Sequence, residues 1–161
     1  MGSHQPLVGV LLLPRKGERM NEREVNLLTL QQTCRKVAAY DTCYWAQRED
    51  WKPDTLIGHC KCVAAVVQLR HGGELVHDKI AGVPHIWNRL PDGTEVDLCG
   101  EQFGHEGISA IKRGKRSRPT QMSNRVHLFI NRLEEYEDAW LLSPYTLHKP
   151  AEAAGQPSKR S

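Results

Sequence analysis

The chain reads as an α+β fold with a small antiparallel sheet. Three observations carry that reading. Two segments with apolar residues at helical spacing come before any strand. Three strand-length segments then follow one another through short turns. A third helix-period segment closes the pattern.

The elements follow in chain order. Residues 1–20 form an arm with a short apolar strand candidate, then basic and glycine residues. The first helix covers about 22–38, where Val25, Leu28, Cys34 and Val37 recur at helical spacing beside Leu27, Leu30 and Ala38, and Asn21 serves as its cap. Residues 40–58 are aromatic, polar and proline-containing with no clean period, and read as an ordered loop. A second helix runs over about 60–69 and is stopped by His71, Gly72 and Gly73. Strand candidates follow at 74–80, 84–90 and 94–99. Residues 104–122, rich in glycine and charge, read as an excursion. The last helix covers about 124–138, with Val126, Phe129, Ile130 and Leu133 on one face. The expected organisation is an arm at 1–20, one domain at 21–142 and a flexible tail at 143–161.

With 161 residues and 39% hydrophobic composition, one modest core is expected. A net charge of +3 is too mild to argue nucleic-acid binding from the whole chain. The longest clean apolar run, 7–13, falls well short of the roughly 20 residues a spanning helix needs. No basic stretch precedes it and no cleavage site follows it, so a cytoplasmic protein without a membrane segment is expected. The five cysteines are an odd count with no disulfide-scaffold spacing, and in such a chain they read as buried, catalytic or metal-bound.

The stretch from Pro84 to Cys99 is the most informative. Leu90-Pro91-Asp92-Gly93 is a type I turn in sequence terms: Pro presets its dihedral, Asp suits the next position, and Gly accepts the left-handed conformation that ends a three-residue hairpin loop. Leu90 then pairs with Thr94, Trp87 faces Asp97, and His85 faces Cys99. One face carries Ile86, Asn88, Leu90, Thr94, Val96 and Leu98; the other carries His85, Trp87, Arg89, Glu95, Asp97 and Cys99. His85 and Asp97 become diagonal neighbours, roughly 7–8 Å apart at the backbone, which side chains can close to a hydrogen bond. A carboxylate beside an imidazole fixes its tautomer and supports its charged form. A two-residue loop would put the two on opposite faces, so the pairing depends on the turn type.

The candidate nucleophile is Cys60, at the start of the second helix, where free backbone N–H groups and the helix dipole favour a thiolate and can hold an oxyanion. Cys60, Val63, Ala64 and Val67 form one stripe, so the buried face also carries the thiol. Gly58 permits a sharp turn just before it. Cys62, about 200° around the helix, reads as core.

A cysteine at a helix start followed by His and Asp on successive antiparallel strands resembles the papain-like and transglutaminase-like cysteine enzymes. More narrowly, residues 29–103 resemble the YunG-like family of small bacterial proteins. The likeness lies in Gly58-His59-Cys60 with Val63 to Gln68, in Gly72-Gly73-Glu74-Leu75, in His85 to Gly93, and in Val96-Asp97-Leu98 with Gln102-Phe103. It implies a papain-like core, with the central helix packed on the sheet, and a triad of Cys60, His85 and Asp97. The expected chemistry is cysteine-dependent hydrolysis or acyl transfer on an amide, thioester or ester bond, with a peptide, protein or small amide as substrate and no cofactor. His59, Trp87 and Asn88 are expected around the site, as oxyanion help or support.

Competing readings remain. A non-catalytic module of the same fold would hold an acidic partner or nucleic acid through Lys112, Arg113, Lys115, Arg116 and Arg118, although no aromatic residues interleave with them as a base-stacking platform. A zinc site would need Cys60, His85 and Cys99 with His59 or Asp97, but Cys-x-Cys lacks the paired short spacings of structural zinc. Cys99 is otherwise core or a redox partner. Trp45 and Trp51 read as loop packing, with a substrate groove as the alternative.

Overall fold

The computed structural model describes residues 8–9, 17, 19–80, 82–100, 115–116 and 122–142. Asn21 opens helix α1 (Glu22–Val37) with a capping box: its side chain accepts from the Glu24 N–H at 2.9 Å, and the Glu24 carboxylate accepts from the Asn21 N–H at 2.8 Å. α1 buries Leu27, Leu30, Gln31, Cys34 and Val37. The following loop is ordered and holds a short 3-10 turn, Trp45–Gln47. Helix α2 (Cys60–His71) buries Cys62, Val63, Ala64, Val66 and Val67, and ends two residues later than its sequence pattern suggests, at Gly72, whose φ is 74°. Helix α3 (Asn124–Leu142) runs four residues past the expected end. It packs on both α1 and α2, with Val126, Phe129 and Leu133 in the core they share. Among the described residues no helix is long and apolar enough to cross a membrane.

The strands are β1 (Val8–Gly9), β2 (Glu74–Ile80), β3 (Val83–Arg89), β4 (Glu95–Asp97) and β5 (Lys115–Arg116), in the sheet order β1-β4-β3-β2-β5. The centre is antiparallel; β1 adds to β4 in parallel, and β5 adds to β2. The fold is therefore α+β, and the strand candidate of the arm enters the sheet at Val8–Gly9. The rest of that candidate, most of the 104–122 excursion, the tail from 143, and Lys112, Arg113 and Arg118 lie outside the described residues. Lys115 and Arg116 are described as strand backbone.

The hairpin has the expected register. Leu90 donates to Thr94 O at 2.8 Å, Gly93 donates to Leu90 O at 2.9 Å, and Gly93 takes a φ of 86°. Asn88 pairs with Val96 and Arg89 with Glu95. Leu90, Val96 and Leu98 join the main core with Val63, Val66 and Val67 of α2, while Trp87 clusters with Val76 and Ile80 apart from it. β4 is shorter than the predicted 94–99. Asp97 Oδ1 accepts the Cys99 N–H at 2.9 Å, and this local turn draws the chain off the ladder.

Candidate active site

Local chemistry places each member. Gly58 has a φ of 75°, and a Cβ there would lie 2.3 Å from Cys43 Sγ, so the chain passes close to the loop just before α2. Tyr44 N–H donates to Gly58 O at 2.8 Å, and Arg125 of α3 donates to Thr42 O at 2.9 Å and Gly58 O at 3.2 Å. This clamp sets where α2 begins. Gly58→Ala is expected to lower the unfolding free energy by at least about 2 kcal/mol, from φ strain plus overpacking. Urea denaturation measures it, and an unchanged midpoint would refute so close an approach.

α2 starts at Cys60 without a side-chain cap on its first turn. Orphan N–H groups therefore lie beside the thiol. Cys60 is half-buried, whereas Cys34, Cys43, Cys62 and Cys99 are buried, and all five are free thiols. Burial pushes the Cys34 thiol up to about 12 and the Cys62 thiol up to about 11. Those two are inert core groups at neutral pH.

His85 on β3 is 3% exposed, and Asp97 at the end of β4 is 5% exposed. His85 Nε2 donates to Asp97 Oδ2 at 2.6 Å. The Cys60 side chain lies beside the same imidazole and helps to raise its pKa. With Nε2 taken by Asp97, Nδ1 is the nitrogen left for the thiol. The Trp87 ring stacks on His85 with centroids 5.6 Å apart and planes 23° apart. Burial works against the imidazolium, but the hydrogen bonds and charges of Asp97 and Cys60 outweigh it, and the His85 pKa is raised to about 9. The hairpin register joins His85 to Asp97, and the packing of α2 brings Cys60 beside them.

The supporting residues fall differently. His59 is fully buried; its Nδ1 donates to Ile57 O at 2.9 Å and its Nε2 meets Thr42 Oγ1 at 2.9 Å. Its ring lies against Trp51 and Phe129. Burial lowers its pKa. The structure does not bring this imidazole to an oxyanion at the thiol: it seals the head of α2 to the loop. Asn88 lies on the other face of the hairpin, where its amide donates to Ala64 O at 2.8 Å. It fixes β3 on α2 and does not support the imidazole. Trp87 does support it, through the stack. Cys99 is 2% exposed, and its N–H holds Asp97. Trp51 packs, donating to Thr55 O at 3.3 Å, whereas Trp45 is 71% exposed beside Tyr44. Among the described residues no group of three His, Cys, Asp or Glu side chains is arranged to hold a metal ion. Arg125 carries no mark in the sequence, because its partners lie more than 60 residues away.

A family model described as YunG protein matches residues 26–137, a span that runs from α1 into α3 and contains Cys60, His85 and Asp97. No curated protein and no solved structure matches the chain.

Proposed function

We propose that this chain, which belongs to the YunG family, is a cysteine-dependent hydrolase or acyltransferase with a papain-like core, acting on an amide, thioester or ester bond. One observation carries the reading: a buried imidazole is hydrogen-bonded to a buried carboxylate and sits beside the only half-exposed thiol among the five. His85, whose pKa is raised to about 9, already carries the thiol proton on Nδ1 at neutral pH, and Cys60 Sγ attacks the substrate carbonyl as the thiolate of that ion pair. The resulting oxyanion is held by the Cys60 N–H in the uncapped first turn of α2. His85 returns the proton to the leaving nitrogen, sulfur or oxygen as the C–X bond breaks, which leaves an S-acyl enzyme. Water or a second nucleophile gives its proton to His85, attacks the thioester and frees Cys60. Asp97 keeps Nε2 protonated and Nδ1 turned toward sulfur throughout. Amides, peptides included, are the first choice of substrate by analogy with papain-like enzymes. The five free thiols suit a reducing compartment, the cytoplasm.

p-Nitrophenyl acetate, a generic acyl donor, tests this without knowledge of the natural substrate. Intact mass and peptide mapping are expected to show acetylation at Cys60 with a burst of nitrophenol. His85→Ala is expected to slow acylation at least about 100-fold, and Cys60→Ser to abolish S-acylation. Acetylation spread over lysines, or unaffected by His85→Ala, would sink the proposal.

A further inference from the structure

The face that carries His85 holds a second polar row that the chemistry above leaves unused. Glu74, Arg89 and Glu95 are direct cross-strand neighbours on β2, β3 and β4. The Arg89 guanidinium donates to Glu95 Oε1 at 2.7 Å and to Glu74 Oε1 at 3.0 Å. Glu95 is 6% exposed, and a carboxylate that deep is costly unless its oxygens are engaged. Its other oxygen, Oε2, accepts from Trp87 Nε1 at 3.4 Å. Trp87 is itself buried, and its ring covers one face of the His85 imidazole. Arg89, Glu95, Trp87 and His85 form an unbroken chain.

We propose that Glu95 is a positioning residue of the thiol–imidazole site: held by Arg89, it grips the Trp87 indole N–H and so fixes the Trp87 ring against His85. The proposal rests on the triad reading above. An imidazole tethered at Nε2 can still rock about that bond, and a flat ring against its face removes the freedom. The stacked π system also favours the imidazolium. Among the described residues, the ionisable groups that face His85 are Asp97 from β4, Asp78 across the ladder on β2, and Cys60 from α2. Glu95 reaches His85 through the indole, and any direct action of its charge is what a neutral amide at the same position would remove.

The test follows the His85 ring by ¹H–¹⁵N correlation spectra of the full chain across pH. It also measures alkylation of Cys60 by iodoacetamide at pH 7, read by peptide mapping. Glu95→Ala and Trp87→Phe are each expected to lower the His85 titration midpoint by about 0.5–1 pH unit and to slow alkylation about 3- to 10-fold. Glu95→Gln, whose amide oxygen still accepts the indole N–H, is expected to stay within about 0.3 pH unit of the wild-type midpoint. A Gln variant displaced as far as the Ala variant would mean that Glu95 acts by charge alone. Ala and Phe variants that match the wild type would mean that Glu95 only neutralises Arg89. Either result overturns the proposal. If Glu95→Ala does not fold, Trp87→Phe, which keeps a buried ring, decides alone. Failure of the triad reading shows separately: His85→Ala would then leave Cys60 alkylation unchanged, while the Glu95 and Trp87 variants still move the His85 midpoint.

Discussion

Asp97→Ala is expected to lower the unfolding free energy by about 3–5 kcal/mol, the cost of leaving a buried charge without its partner. Asp97 is almost fully buried and both its oxygens are engaged, Oδ2 by His85 at 2.6 Å and Oδ1 by the Cys99 amide at 2.9 Å. Alanine removes the counter-charge of the imidazolium and an acceptor of that amide at once. Asp97→Asn keeps the shape and a carbonyl oxygen for the Cys99 N–H but carries no charge, so it should fall between alanine and the wild type. The measurement is urea denaturation at pH 7, read as a shift in midpoint at unchanged slope. In the acylation assay the Asn variant should be slower by about 10²–10⁴-fold, because the imidazole loses its enforced tautomer. An Asn variant as stable and as fast as the wild type would show that the buried pair does not form in solution.

The second large effect is on pH. His85 has its pKa raised to about 9 in the fold, against an ordinary value of 6.5. A raised pKa means that the folded state holds its proton more tightly than the unfolded chain. The stabilisation is therefore complete below about pH 6.5 and is lost as pH rises through about 9. The gap corresponds to about 3 kcal/mol at most, and His85→Gln should flatten the slope between about pH 6.5 and 8, below the range where the buried thiols of Cys34 and Cys62 add their own. His59 works in the opposite sense: its pKa is lowered by burial, so stability falls as pH drops below about 6.5 and the unfolded ring takes up a proton. Together the two rings place the stability optimum near neutrality. Denaturation midpoints at pH 5, 7 and 9.5 check both limbs, and a wild-type midpoint that does not fall between pH 7 and 9.5 would contradict the His85–Asp97 geometry.

Much of the site is legible because it depends on short-range rules. Pro91, Asp92 and Gly93 set the turn, the turn sets the register, and a side-chain period of two then puts His85 and Asp97 on one face. The Gly58 turn and the following helical stripe likewise mark Cys60 as the head of α2. The misplaced residues are those whose partners are distant in sequence or whose nearness to His85 along the chain outweighed the face they occupy. His59 looks like a helper because it adjoins Cys60, but its ring follows Thr42, Trp51 and Phe129 into the core. Asn88 looks like support because it is near His85 in sequence, yet it projects to the opposite side of the strand, onto Ala64 O. Glu95 shares a face with His85 in the hairpin pattern, but its meeting with the indole is a side-chain matter that pairing rules do not express.

What the chain determined by itself is the three helices, the three central strands, the hairpin register and the pairing of acid with imidazole; β5 at Lys115–Arg116 lies in the segment read as an excursion. Each follows from backbone chemistry within a few residues and from strict alternation along a strand. What only the tertiary structure decided is the meeting of Cys60 with His85, the withdrawal of His59, and the Arg89–Glu95–Trp87 chain. Those contacts depend on how α2, α3 and the sheet pack together, and packing is fixed by the fit of many buried side chains at once rather than by any local pattern.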